Sequence, residues 1–116
     1  MYTTIEQTVT ALKSGETTSL ELVKKSIETF EADKKSEKPL NAFLEMYESA
    51  LAKAEACDKE IQEARAKGSA ALDALFETKP LLGLPFANKD NISCRGEHLT
   101  CGSRFCRATR LLTMQL

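Results

Sequence analysis

The longest nearly apolar stretch of the chain is Leu81-Leu82-Gly83-Leu84-Pro85-Phe86-Ala87, and it stops abruptly at Asn88-Lys89-Asp90-Asn91. A run this short cannot cross a bilayer as a helix, which needs about 20 apolar residues. It suits a buried strand that delivers polar side chains at its C-terminal end. In open α/β sheets that end is where ligands and chemistry collect.

Most of what precedes the run is patterned for helix. Thr3 followed by Glu6 is a capping box, in which the two side chains satisfy orphan backbone donors, and Ile5, Val9 and Leu12 then share a face. Gly15 ends this first helix, because glycine accepts the left-handed conformation that closes one. A second box, Thr18 with Glu21, opens a helix whose Leu20, Val23, Ile27 and Phe30 form an inward stripe. The run from Glu31 to Pro39 is too polar to bury and reads as a loop.

Leu40 to Tyr47 holds Phe43, Leu44, Met46 and Tyr47, and reads as a short strand or the lead into the next helix, with strand favoured. From Glu48 to Lys67 there is neither glycine nor proline, and Ala50, Ala54, Cys57, Ile61 and Ala64 recur on one face. Two exposed pairs, Glu55–Lys59 and Glu63–Lys67, would add about 0.2–0.5 kcal/mol each. Gly68 and Ser69 close this helix and Ala70 to Pro80 bridges to the apolar run.

At 116 residues the chain is one domain with a thin core margin. Its 16 basic and 17 acidic residues create no field that would draw it to nucleic acid or an anionic membrane. The N-terminus lacks a basic stretch followed by an apolar one, so a soluble, cytoplasmic protein is expected. Cysteines 57, 94, 101 and 106 are therefore expected as thiols. They lack the paired C-x2-C turns of structural zinc sites, and the only histidine is His98, so no metal ligands are assigned.

The segment from Leu82 to Ile92, with Gly83-Leu84-Pro85 and Lys89-Asp90-Asn91-Ile92, followed by Thr100-Cys101-Gly102-Ser103, resembles the signature segments of the amidase-signature family. Upstream, Ser14-Gly15-Glu16, Thr18-Ser19-Leu20-Glu21-Leu22 and Leu40-Asn41-Ala42-Phe43 resemble the N-terminal helices and first strand of its tRNA-dependent amidotransferase A subunits. Asn88 departs from the pattern, since the family usually has an apolar residue there.

The resemblance implies a Ser-cisSer-Lys triad in which Lys89 is the catalytic lysine that starts proton transfer. An unperturbed lysine has a pKa of about 10.4 and is neutral roughly once in 2,500 at pH 7, so burial must favour the neutral amine. Asp90 need not oppose this, because successive strand residues point to opposite faces. For Asp90 and Asn91 the simpler reading is hydrogen bonding that fixes the loop after the strand. Ser93 and Ser103 do not lie in a glycine-rich serine segment, and a serine without a base and oxyanion donors is an ordinary alcohol. His98, in a loop, reads as a surface histidine. No substrate-binding residue is assigned.

After Arg104 the sequence changes character: residues 105–116 contain no acidic group. One set of codons for Arg104 to Leu116 becomes, on restoring a single A after the first codon, Arg-Ile-Leu-Gln-Gly-Tyr-Ala-Ala-Pro-Tyr-Asp-Ala-Thr. That peptide ends as the family continues, so a one-base deletion is expected, with 1–104 the N-terminal part of an amidase domain and 105–116 an aberrant, disordered tail.

The fold class expected is α/β: the N-terminal helices and first strands of the amidase-signature fold, truncated, with an incomplete sheet. The resemblance implies glutamine hydrolysis that supplies ammonia to convert Glu-tRNA(Gln) to Gln-tRNA(Gln). Amidotransferase B and C subunits are the implied partners. ATP and Mg belong only to the partner of this chain, which itself has no cofactor, direct nucleic acid or membrane contact. Lacking both triad serines, the chain is expected to be inactive. The alternatives are a fragment of another amidase-signature amide hydrolase and a non-enzymatic helical interaction module.

Overall fold

Thr4 starts the first helix, α1 (Ile5–Ser14), by accepting the Gln7 N–H at 3.1 Å, while the Gln7 side-chain oxygen accepts the Thr3 N–H at 3.0 Å. The cap thus sits one residue later than the Thr3–Glu6 box. The sequence offers Thr-x-x-Glu and Thr-x-x-Gln in adjacent registers, and the second uses the Gln7 side chain twice, since it also accepts the Thr3 hydroxyl. Gly15 closes α1 at φ 82°, its N–H bonded to the Ala11 carbonyl.

The computed structural model describes residues 3–104, which fall into two compact units divided between Pro85 and Phe86. Residues 105–116, where the aberrant tail was expected, lie outside the described residues.

In the first unit, α2 (Ser19–Lys35) opens on the Thr18–Glu21 box with both reciprocal bonds made. It runs through Glu31–Lys35, which the polar composition predicts as loop. Polarity argues against burial, not against helix: this last turn is solvated, with Lys34 over the Phe30 ring at 4.3 Å and Lys35 paired to Glu31 at 3.5 Å. Beyond it the Asp33 carboxylate accepts the N–H groups of Leu40 and Asn41 at 2.8 and 3.1 Å.

Helix α3 (Ala50–Ala66) buries Ala54 and Ile61 and half-buries Ala50, Cys57 and Ala64, the expected face. Glu55–Lys59 and Glu63–Lys67 are not among the ion pairs of the described residues; the α3 carboxylate that pairs is Glu60, with Lys79 at 2.5 Å. Ala70–Pro80 was expected as a bridge, yet α4 (Ser69–Thr78) follows Gly68 directly. Leu72, Leu75 and Phe76 lie at i, i+3 and i+4, so its inner face closes on α3. The core is Leu12, Ile61, Leu72 and Phe76, ringed by Val9, Leu22, Ala64, Leu75, Leu82 and Leu84.

The expected strands do not form: among the described residues the regular elements are helices, and the α/β reading is only partly met. A strand needs a neighbour to complete its hydrogen bonds, and these residues supply none. Leu40–Tyr47 is irregular, with Leu40, Phe43 and Leu44 exposed. Leu81–Leu84 instead satisfies its backbone locally, the Leu82 N–H bonding Lys79 and the Leu84 N–H bonding Leu81. Gly83, at φ 78°, makes this turn possible, and its backbone lies beside Leu12, Ser19 and Ile61.

Candidate active site

The second unit carries the residues singled out for chemistry, and its geometry is built by two side chains flanking Lys89. Asn88 donates through Nδ2 to the Ile92 carbonyl at 2.9 Å and to Cys94 Sγ at 3.1 Å. The Ile92 N–H returns to the Lys89 carbonyl at 2.8 Å, closing a turn over 89–92. On the other side of Lys89, the Asp90 carboxylate accepts the N–H groups of Thr100 and Gly102, both at 2.9 Å, and the Thr100 hydroxyl. The Asp90 carbonyl takes the Cys101 N–H at 3.1 Å.

Three donors on one carboxylate favour its ionised form. The Thr100 hydroxyl, then the Gly102 and Thr100 N–H groups, hold Asp90 below the usual Asp value of 3.8, with the Lys89 charge the smallest contribution. Cys101 at φ 49° and Gly102 at φ 68° turn the backbone so that successive N–H groups converge on it. The simpler sequence reading of Asp90, a residue that fixes a loop, matches this arrangement.

Lys89 itself is exposed and forms no ion pair among the described residues. The desolvation that the expected role in proton transfer would require is not supplied by the described residues. Ser93 and His98 are also exposed, and Ser103 is half-buried with its N–H on the Thr100 carbonyl at 2.8 Å. Neither serine is brought to Lys89 by a hydrogen bond within the described residues. Cys57, Cys94 and Cys101 are free thiols, and no three His, Cys, Asp or Glu side chains of the described residues cluster as a metal site. Sequence reasoning missed the Asn88–Ile92 and Asp90–Thr100 links. The available signal was an Asp and a later Thr-x-Gly, a pairing that no local periodicity reveals.

The model of the Amidase family matches residues 21–110, a range that spans Lys89. The chain is 39% identical over 95 residues to the glutamyl-tRNA(Gln) amidotransferase A subunit of Treponema pallidum (strain Nichols), covering 80% of this chain and 19% of that protein. It is 41% identical over 93 residues to the protein of that name in Treponema denticola, covering 80% of this chain and 17% of the relative. For the Synechococcus sp. (strain CC9605) protein of that name the identity is 44% over 93 residues, covering 80% of this chain and 16% of the relative. No solved structure matches. The chain thus spans less than a fifth of the length of these relatives, and on the match of its residues 21–110 it belongs to the amidase family.

Proposed function

We propose that this chain is the N-terminal part of the glutamine-hydrolysing component of a tRNA-dependent amidotransferase, and that Lys89 is its catalytic lysine. The observation that carries the reading is the family match across Lys89, together with relatives of 39–44% identity that bear the name of the A component of such an enzyme. In the reaction, a serine oxygen attacks the glutamine side-chain amide, ammonia leaves, and water releases glutamate from the acyl-enzyme. Lys89 accepts the proton that begins the sequence, through a bridging serine, and returns it to the leaving nitrogen.

Ammonia then passes to a partner that activates Glu-tRNA(Gln) with ATP and Mg, in an assembly with B and C subunits in the cytoplasm. No helix of the described residues is long and apolar enough to cross a membrane. Neither Ser93 nor Ser103 lies in a glycine-rich segment able to supply oxyanion donors, so these 116 residues alone are inactive. The boundary at Arg104, with a shifted frame after it, belongs to the same proposal.

Ammonia release from glutamine tests both parts. The isolated chain gives no turnover above background; turnover abolished by Lys89→Ala would overturn its inactivity. In the product of the gene read with one base restored after the Arg104 codon, Lys89→Ala lowers turnover by about a thousandfold or more, as loss of one member of a triad does. Retained turnover in that variant removes Lys89 from the mechanism. Preference for another small amide over glutamine assigns the site to a different hydrolase of the family.

A further inference from the structure

Lys89 lies between two side chains that each lock a different stretch of backbone. Asn88 holds the far end of the turn through the Ile92 carbonyl, and the Ile92 N–H comes back to Lys89 itself. Asp90 gathers the Thr100 N–H, the Thr100 hydroxyl and the Gly102 N–H on its carboxylate, and the Cys101 N–H on its carbonyl. The lysine backbone is therefore the junction of two hydrogen-bonded loops rather than one free end of an extended run. An exposed lysine has no packing of its own to place it, so its position is inherited from these neighbours.

We propose that Asn88 and Asp90 are positioning residues for Lys89: Asn88 closes the turn that carries the lysine, and Asp90 ties that turn to the Thr100–Gly102 loop. The assignment of a catalytic use to this bracket rests on the proton-transfer role of Lys89. The two side chains act on different hydrogen-bonding groups. Asn88 works as a donor to a carbonyl, which an apolar side chain at this position cannot do, and Asp90 works as an acceptor for three donors, which an amide cannot do equally. A lysine shifted by about 1 Å at a reacting centre costs on the order of a hundredfold in rate, which is why such anchoring bears on function.

Backbone 15N relaxation of the 116-residue chain tests the bracket. In the unsubstituted chain the order parameters of Lys89, Thr100 and Gly102 are all near the rigid value of about 0.85. Asp90→Asn and Thr100→Val lower all three together to below about 0.6, whereas Thr100→Ser, which keeps the hydroxyl, restores them. Asn88→Leu lowers Lys89 and Ile92 and leaves Thr100 and Gly102 rigid. Far-UV circular dichroism, unchanged in every variant, shows that the helices remain folded.

Order at Lys89 that survives both Asn88→Leu and Asp90→Asn overturns the proposal, as does an unsubstituted chain in which Lys89 is already as mobile as in the variants. The relaxation result does not depend on glutamine hydrolysis. A bracket that behaves as stated, beside an enzyme indifferent to Lys89→Ala, leaves the positioning intact and removes only its catalytic use.

Discussion

Asp58 and Arg65 stand two turns apart on α3, and each closes the end of a different helix. The Asp58 carboxylate accepts the N–H groups of Ser19 and Leu20 at 2.6 and 2.9 Å, the first amides of α2. The Arg65 guanidinium donates to the Leu12 carbonyl at 2.9 Å and to Lys13 at 3.4 Å, in the last turn of α1. An anion meets the positive end of one helix and a cation the negative end of another, so α3 fixes the turn between α1 and α2 from outside it.

Asp58→Ala leaves the Ser19 and Leu20 amides without this acceptor, while Thr18 continues to bond Glu21. The expected loss is about 1–2 kcal/mol, the range for a helix N-cap partly buried by its neighbour. Urea unfolding followed by circular dichroism measures it, and a midpoint unchanged by the substitution contradicts the assignment.

Arg65→Ala removes the donor to α1 and should cost about 1–1.5 kcal/mol, at or below the low end for a hydrogen bond to a charged group because Arg65 is exposed to screening by water. The two α3 residues share no partner among these bonds. Combined, the two substitutions should add to within about 0.5 kcal/mol; a larger coupling in the double-mutant cycle would mean that both act through one rearrangement.

Gly83→Ala tests the left-handed backbone of the turn that replaces the expected strand. A Cβ there would lie 3.4 Å from Leu12 and Ser19 and 3.5 Å from Ile61, which is ordinary contact, so space is not the obstacle. The φ of 78° is the obstacle, and the expected cost is about 1–2 kcal/mol. Gly83→Val adds bulk against the same atoms and should unfold at still lower denaturant.

The Asp90 anchor has a defined pH dependence. Its donors stabilise the carboxylate and depress its pKa in the folded chain, so their contribution is fully present above the ordinary Asp value of 3.8 and is lost as pH falls through the lower, folded value. The Gly102 amide proton resonance should therefore shift in a single step centred below 3.8. The Asp90→Asn chain should show no such step, and a midpoint above that value would contradict the geometry.

Reading the gene across the Arg104 codon is the direct check of the tail. A coding frame that resumes the Pro-Tyr-Asp-Ala-Thr continuation after one restored base is expected. An uninterrupted open frame with no such alternative excludes the shift.

What the sequence alone determined is local. Thr18 with Glu21, and Gly15 at the close of α1, act through bonds to residues three or four positions away, so their chemistry is visible in the string. The α3 face from Ala50 to Ala64 is legible for the same reason, and so is the Lys89-Asp90-Asn91-Ile92 motif that led to the family. Helix α4, predicted as a bridge, carries its pattern in Leu72, Leu75 and Phe76, but Gly68 brings no side-chain cap and so nothing in the string marks where it starts.

The tertiary structure decided what depends on distant partners. Whether Leu81–Ala87 extends or turns depends on a neighbouring strand, and with none among the described residues the backbone satisfies itself around Gly83 and presses Leu82 and Leu84 onto the helices. Asp58 reaches Ser19, Arg65 reaches Leu12 and Asp90 reaches Thr100 across separations that no helical or strand period encodes. A hydrogen bond needs only proximity and direction, and in these places folding alone supplied both.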